Sequence, residues 1–222
     1  MKLPKKPKQF VFNRHEPELP GDITTAVDAH ALFETNAVLI TDRLIEGVQA
    51  EDRKIGSLHV ESSILERVTL SNSSFGSINL KDVRLVNCDL ANIQMRGLTL
   101  VRVEFINCRM TGFRAGEADC QDVLISEGDQ RYSQFRFSHF KSAEFDSCNF
   151  EEADFHGTDL SGSRFRRCNL RNAEMNKAKL VDADIRGSVV DGLQLNAEDI
   201  RGAVVDAAQA MLLAPLLGIR IE

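Results

Sequence analysis

The chain has 222 residues, 43% of them apolar, and a formal charge of −6, which is enough to bury a core in one domain or two small ones. So mild an acidic balance argues against nonspecific affinity for nucleic acid, and five cysteines without a CxxC pair fit neither a disulfide framework nor a zinc site. Tryptophan is absent and Tyr132 is the single tyrosine, against 13 phenylalanines, so the interior selects bulk without a polar tip.

The N-terminal stretch, residues 1–20, carries five basic and two acidic side chains and reads as a flexible basic arm. It has no apolar run of signal-peptide length, and the apolar C-terminal stretch is too short to cross a bilayer, so the expected location is the cytoplasm, away from membranes. Residues 1–37 are assigned as extension and lead-in, with the order of 21–37 open. Residues 38–57 keep a five-residue phase through Ile40, Ile45 and Ile55, but Arg43 and Arg53 stand where small side chains belong. That segment is expected to be a degenerate capping coil.

From Val60 to Val205 every fifth residue is apolar, 29 positions of 30, with Gln130 as the exception. Two residues before each lies a second column. It is small in the C-terminal half (Ala143, Cys148, Ala153, Ala173) and enlarged in the N-terminal half (Val68, Ile78, Val83, Phe113). Neither a helical period of 3.6 nor a strand period of 2 holds such a phase, so the backbone must bend every five residues. Glycines soon after the inward residue, such as Gly112, Gly157, Gly162 and Gly192, suit bends with unusual dihedrals.

The units EADFH, GTDLS, RRCNL and NAEMN resemble the pentapeptide-repeat family. The resemblance implies an all-β fold, a right-handed quadrilateral β-helix over residues 38–205 with four units per coil, seven to eight coils and a C-terminal capping helix. Residues twenty apart would then be vertical neighbours. Cys88, Cys108, Cys148 and Cys168 fall in one such column, interrupted only by Gly128, and charges alternate along Glu144, Arg164, Asp184 and along Asp159, Lys179, Asp199. Stacking would place these side chains at about the 4.8 Å inter-strand spacing. Around Ser126–Gln134 the central column weakens; the unbroken phase on either side favours an imperfect coil over a protruding loop.

Residues 206–222 close the chain. Asp206 is expected to cap a helix over roughly 207–217, with Pro215 as the point that would kink or shorten it, ended by Gly218 and followed by a short strand, 219–221. The segment QAMLLAPLLGIRIE resembles the helix and strand through which quinolone-resistance pentapeptide proteins, which bind DNA gyrase, dimerise end to end. The resemblance implies a homodimer interface comprising Met211, Leu212, Leu213, Leu216, Leu217, Ile219 and Ile221.

No catalytic constellation stands out. The five histidines are scattered, no phosphate loop or nucleophile accompanies the carboxylates, and no cofactor or metal site is expected. The surface expected to meet a partner comprises Glu144, Asp146, Glu151, Glu152, Asp154, Asp159 and Tyr132. The expected function is a non-enzymatic interaction module that displays faces to a protein partner, without direct nucleic-acid binding. The alternative is a DNA-mimicking rod that binds DNA gyrase, against which the alternating signs of its columns count.

Overall fold

The computed structural model describes residues 12–221; the greater part of the basic arm, residues 1–11, lies outside the described residues. Backbone pairing is parallel throughout the described residues and, beyond the lead-in pair Thr24–Arg43, joins each residue to the one twenty further on: Ile45 to Leu65, Leu65 to Leu85, Leu85 to Phe105 and Phe105 to Ile125. Pairing of that offset makes one coil of twenty residues, and the chain is a β-solenoid of about seven turns.

The bend has one backbone origin. Two residues after each inward side chain the backbone repeatedly enters the left-handed region, at Asn72, Asp82, Asn87, Asn92, Asn107 and Asn172 among others, each with φ between 50° and 59°. Asn and Asp tolerate that conformation because the short side chain can bond locally, and glycine meets no steric penalty there, as at Gly157 and Gly162. Gly97, among the glycines of the sequence, is not used this way.

Inside, the five-residue column is buried along most of the rod. Phe135, Phe140, Phe145 and Phe150 meet edge to face at centroid distances of 5.7, 5.6 and 5.4 Å around one coil. Between coils Phe135 stacks on Phe155 and Phe145 on Phe165, at 5.5 and 4.5 Å. The small column performs a second task. Thr158, Ser138, Ser188 and Cys148 each donate to the backbone carbonyl of an inward residue twenty-three positions earlier, at 2.6, 3.1, 3.1 and 3.1 Å. Short donors in that column can therefore serve carbonyls at the bends, although the hydroxyls of Ser133 and Ser163 find no partner among the described residues.

The two halves differ as their second columns do. Where it is Val, Ile or Leu, long strands form, Lys54–Glu66, Ser74–Val86 and Leu98–Ile106; where it is Ala or Ser, much of the pairing reduces to single bridges. β-branched side chains favour extended backbone, and Ala does not. Ser126–Gln134 is a regular part of the stack, with Asp129 bridged to both Arg109 and Asn149, and Gln134 to both Arg114 and Asp154.

Both ends are covered. Residues 38–57 form the first coil in register, with Ile40, Ile45, Ala50 and Ile55 buried, and Phe33 from the upstream segment packs on it, 1% exposed. Arg43 and Arg53 find polar partners in the upstream cover and stay exposed or half-buried: Arg43 donates to Thr24 Oγ1 at 3.2 Å, where Thr24–Thr25 pairs with Arg43–Leu44, and Arg53 pairs with Glu34 at 2.8 Å. At the far end, Asp206 caps the helix Ala207–Leu213 with a reciprocal bond from Gln209, and buried Gln209 donates to the carbonyls of Ile185 and Ser188 at 2.7 and 2.8 Å. The helix is shorter than the span expected to Leu217, and it is shortened at Pro215: at Ala214 the chain tightens to a 3-10 turn, Ala214–Leu217, with Pro215 at its start, since proline cannot continue the i to i−4 ladder. Residues 219–221 form no strand, having no neighbouring strand to pair with.

Residues 12–20, expected within a flexible arm, lie against the rod. They run as an irregular strap towards the N-terminal end of the stack: Phe12 under the Arg164 guanidinium at 4.3 Å, Arg14 on Glu104 at 2.9 Å, and His15 on Asp122 through its amide and its ring, both at 3.2 Å. Further on, the Glu18 amide donates to Asp82 at 2.9 Å.

Candidate functional site

In a rod with a filled interior, function must reside in the surfaces. The seven candidate surface residues do not form one patch. Glu144 and Asp146 lie on the strap side and pair with Arg166 and Arg167 at 3.2 and 2.6 Å. Asp159 lies on a different side, paired with Lys179 at 3.3 Å. Only Tyr132, Glu152 and Asp154 come together, lining a shallow cleft of about 530 Å³ with Gln134, Asn172 and Glu174.

Tyr132 and Phe137 bound this face at successive corners of one coil. Both are large, 51% and 57% exposed, and both sit at the left-handed bend position with φ of 59° and 57°. Asn and Asp tolerate that conformation better than bulky side chains do, yet the bend elsewhere also holds Arg67, Arg102, Arg167 and Lys177, so what sets these two corners apart is the exposed ring. Phe137 also has a prepared place: its ring lies over Gly157, where any Cβ would clash at 2.6 Å, beside His156 at 5.5 Å and under Arg136 at 5.9 Å. Phe137 escapes the sequence reading because phenylalanine abounds in the inward column. Its signal is the phase: it stands two residues after inward Phe135, outside that column.

Between the corners run Gln134, Arg136, Asp154, His156 and Glu174. Arg136 pairs with Asp154 at 3.4 Å, and the Glu174 carboxylate accepts the Asn176 amide at 2.7 Å. Glu152 has no ion pair among the described residues. The face is therefore aromatic at its edges and of mixed charge along its middle, a composition suited to meeting a protein surface.

Elsewhere the charges neutralise one another from coil to coil: Lys81 with Glu61, Arg102 with Asp82, Arg84 with Glu104 and Arg109 with Asp89, at 2.5 to 3.0 Å. The cysteine column is buried and free of disulfides. The side-chain hydrogen bond from the neighbouring thiol and burial both push Cys108 and Cys148 up, and burial does the same to Cys120. None of these three is a thiolate nucleophile near neutral pH. Among the described residues no cluster of His, Cys, Asp and Glu could hold a metal ion, and no helix is long and apolar enough to cross a membrane.

At the C-terminal end Met211, Leu212, Leu216, Ile219 and Ile221 are exposed, while Leu213 is buried against the last coil and the Leu217 side chain lies outside the described residues.

These features define a β-solenoid. The family model for pentapeptide repeats matches eight copies in it, over residues 78–114 and 148–187. No curated protein matches the chain. Among solved structures, a trypsin-treated form of QnrB1, a plasmid-mediated fluoroquinolone resistance protein, is 18% identical with a TM-score of 0.46, covering 90% of this chain and 98% of that one. HetL, a pentapeptide repeat protein involved in heterocyst differentiation regulation from the cyanobacterium Nostoc sp. strain PCC 7120, is 16% identical with a TM-score of 0.38, covering 74% and 91%.

Proposed function

We propose that this chain is a non-enzymatic interaction module that binds a protein partner through the face between the Tyr132 and Phe137 corners. The observation that carries the reading is the placement of two exposed aromatic side chains at left-handed bends, one seated on a glycine that makes room for it. Large aromatic rings are the residues that anchor interfaces, and two of them exposed on one face distinguish these bends from the many others that hold Asn, Asp, Arg, Glu or Lys. The test is capture from a native lysate by wild-type chain and by a folded Tyr132→Asn/Phe137→Asn variant. A partner retained by the first and lost with the second is expected; identical captures would overturn the reading.

The exposed apolar side chains beyond the last coil support a homodimer through the C-terminus. Met211, Leu212, Leu216, Ile219 and Ile221 form more apolar surface than one coil needs as a cover. Sedimentation should give twice the chain mass at micromolar concentration, and Leu212→Glu should halve it; a monomer for both would remove the dimer.

DNA gyrase as the partner is the second reading, supported by the acids of the Tyr132 cleft and opposed by the coil-to-coil ion pairs, which interrupt any extended negative lattice. A supercoiling assay decides it, inhibition by wild-type chain and not by Tyr132→Asn/Phe137→Asn being the supporting result.

A further inference from the structure

On the side of the rod half a coil away from Tyr132, residues 12–20 occupy a surface that has the features of a peptide-binding site. Asp82, Glu104 and Asp122 are 3 to 4% exposed, although they stand at a corner and on a flank of the coils. The corner residues of the same column beyond the strap, Asp42, Ser142 and Asp182, are half-buried or exposed. The strap itself provides the cover.

Its attachment is chemically specific and sparse. Its bonds to the rod end on side chains: Glu104 accepts a guanidinium, Asp122 accepts an amide and an imidazole, and Asp82 accepts one further amide three residues on. Glu18 is 81% exposed at its side chain, and the strap adds no strand to the sheet. Without the strap the receiving groups would stay in place. Asp82 would keep two bonds from Arg102 at 2.6 Å, and Glu104 would keep Arg84 at 2.8 Å. Asp122 would keep only the Gln121 amide at 3.2 Å, leaving a carboxylate open to a cationic or N–H donor.

We propose that this face is a docking site for an extended, arginine-bearing peptide of a partner protein, and that the strap is its displaceable intramolecular occupant. The ligand it fits has an aromatic residue to lie under Arg164, an arginine for Glu104, a donor side chain for Asp122, and free backbone amides at the two positions the aspartates read. Arg84 and Arg102 within the face disfavour a uniformly polybasic segment, so recognition depends on spacing more than on net charge. The site lies opposite the Tyr132 face and stands without the function proposed for it.

The experiment is fluorescence anisotropy with a labelled peptide of residues 12–20, FNRHEPELP, titrated with full chain. Wild type is compared with Arg14→Ala/His15→Ala, in which the strap loses its two side-chain latches and keeps its two amide bonds. A covered site binds more weakly by the fraction of time it is open, so the variant should bind the peptide about tenfold more tightly or better. Adding Glu104→Gln and Asp122→Asn to that variant should abolish binding, with circular dichroism showing the fold retained. Equal affinity in the two proteins, or no binding to the unlatched chain, would overturn the proposal. A concentration-dependent doubling of wild-type mass that Asp122→Asn removes would assign the site to the strap of a second copy and overturn the partner reading.

Discussion

Gln130 fills the space that Gly128 vacates. A Cβ at position 128 would fall on the Gln130 amide, and that amide donates to the Cys108 carbonyl at 3.4 Å while its Oε1 finds no partner among the described residues. The one polar residue of the inward column and the one gap in the cysteine column are thus a single compensated exchange. Gly128→Ala should destabilise the rod by about 1–3 kcal/mol through overpacking. Gln130→Leu, which removes the unsatisfied oxygen, should recover part of that in the double variant. A double-mutant cycle by urea denaturation should give a coupling of about 1 kcal/mol or more; additive effects would mean that the two positions do not share the space.

Tyr132→Asn separates strain from use. Replacing an exposed aromatic ring in left-handed backbone by a residue that tolerates it should stabilise the fold by roughly 1 kcal/mol, raising Tm by about 2–4 °C for a chain of this size. Partner capture should fall at the same time. A lower Tm would show that the ring is held by packing and not at a cost.

Much of the rod was legible from residues alone, and the reason is physical. A coil of four five-residue sides stamps its period on every inward position, and the vertical contact of cysteines and charges stamps the twenty-residue register on top. Lys179 meets Asp159 as that register requires, whereas Glu144 pairs with Arg166 because Arg164 is taken by Phe12. The strap left no such imprint. Asp82, Glu104 and Asp122 look like ordinary surface acids in the sequence, and residues 12–20 carry no period; only their meeting in space makes either informative. The exposed corner aromatics were half visible: Tyr132 by being the single tyrosine, Phe137 hidden among the inward phenylalanines.

Thr158 and Ser163 should respond oppositely to loss of a hydroxyl. Both are fully buried in the small column, but Thr158 Oγ1 donates to Phe135 O at 2.6 Å and Ser163 Oγ has no partner among the described residues. Thr158→Val removes the shorter of the two bonds to that carbonyl, leaving the Ser138 amide at 3.2 Å, and should cost about 1 kcal/mol, whereas Ser163→Ala removes an unsatisfied group and should be neutral or stabilising by up to about 1 kcal/mol. Chemical denaturation of the two variants checks this; equal destabilisation would remove hydrogen bonding as the reason for the column's composition.

Acid should release the strap before it unfolds the coils. Burial pushes the Asp82 carboxyl up, but the Arg102 hydrogen bond, the Glu18 amide and the charges of Arg102 and Lys81 outweigh it, so its pKa lies below the usual aspartate range. Asp122 is lowered likewise, burial again opposing and the His15 amide, the Gln121 amide and the His15 ring prevailing. A depressed folded pKa means that the stabilisation is fully present above the ordinary aspartate value of about 3.9 and is lost as pH falls through the lower folded values. The amide resonances of His15 and Glu18 should therefore hold their strap-bound shifts at neutral pH and titrate together below about pH 3.9, while amides such as Phe105 and Phe145 stay in place. In Asp82→Asn and Asp122→Asn the corresponding amide should lose its acid transition. Titration of both amides above that range, or no transition before the coils melt, would mean that these carboxylates do not hold the strap.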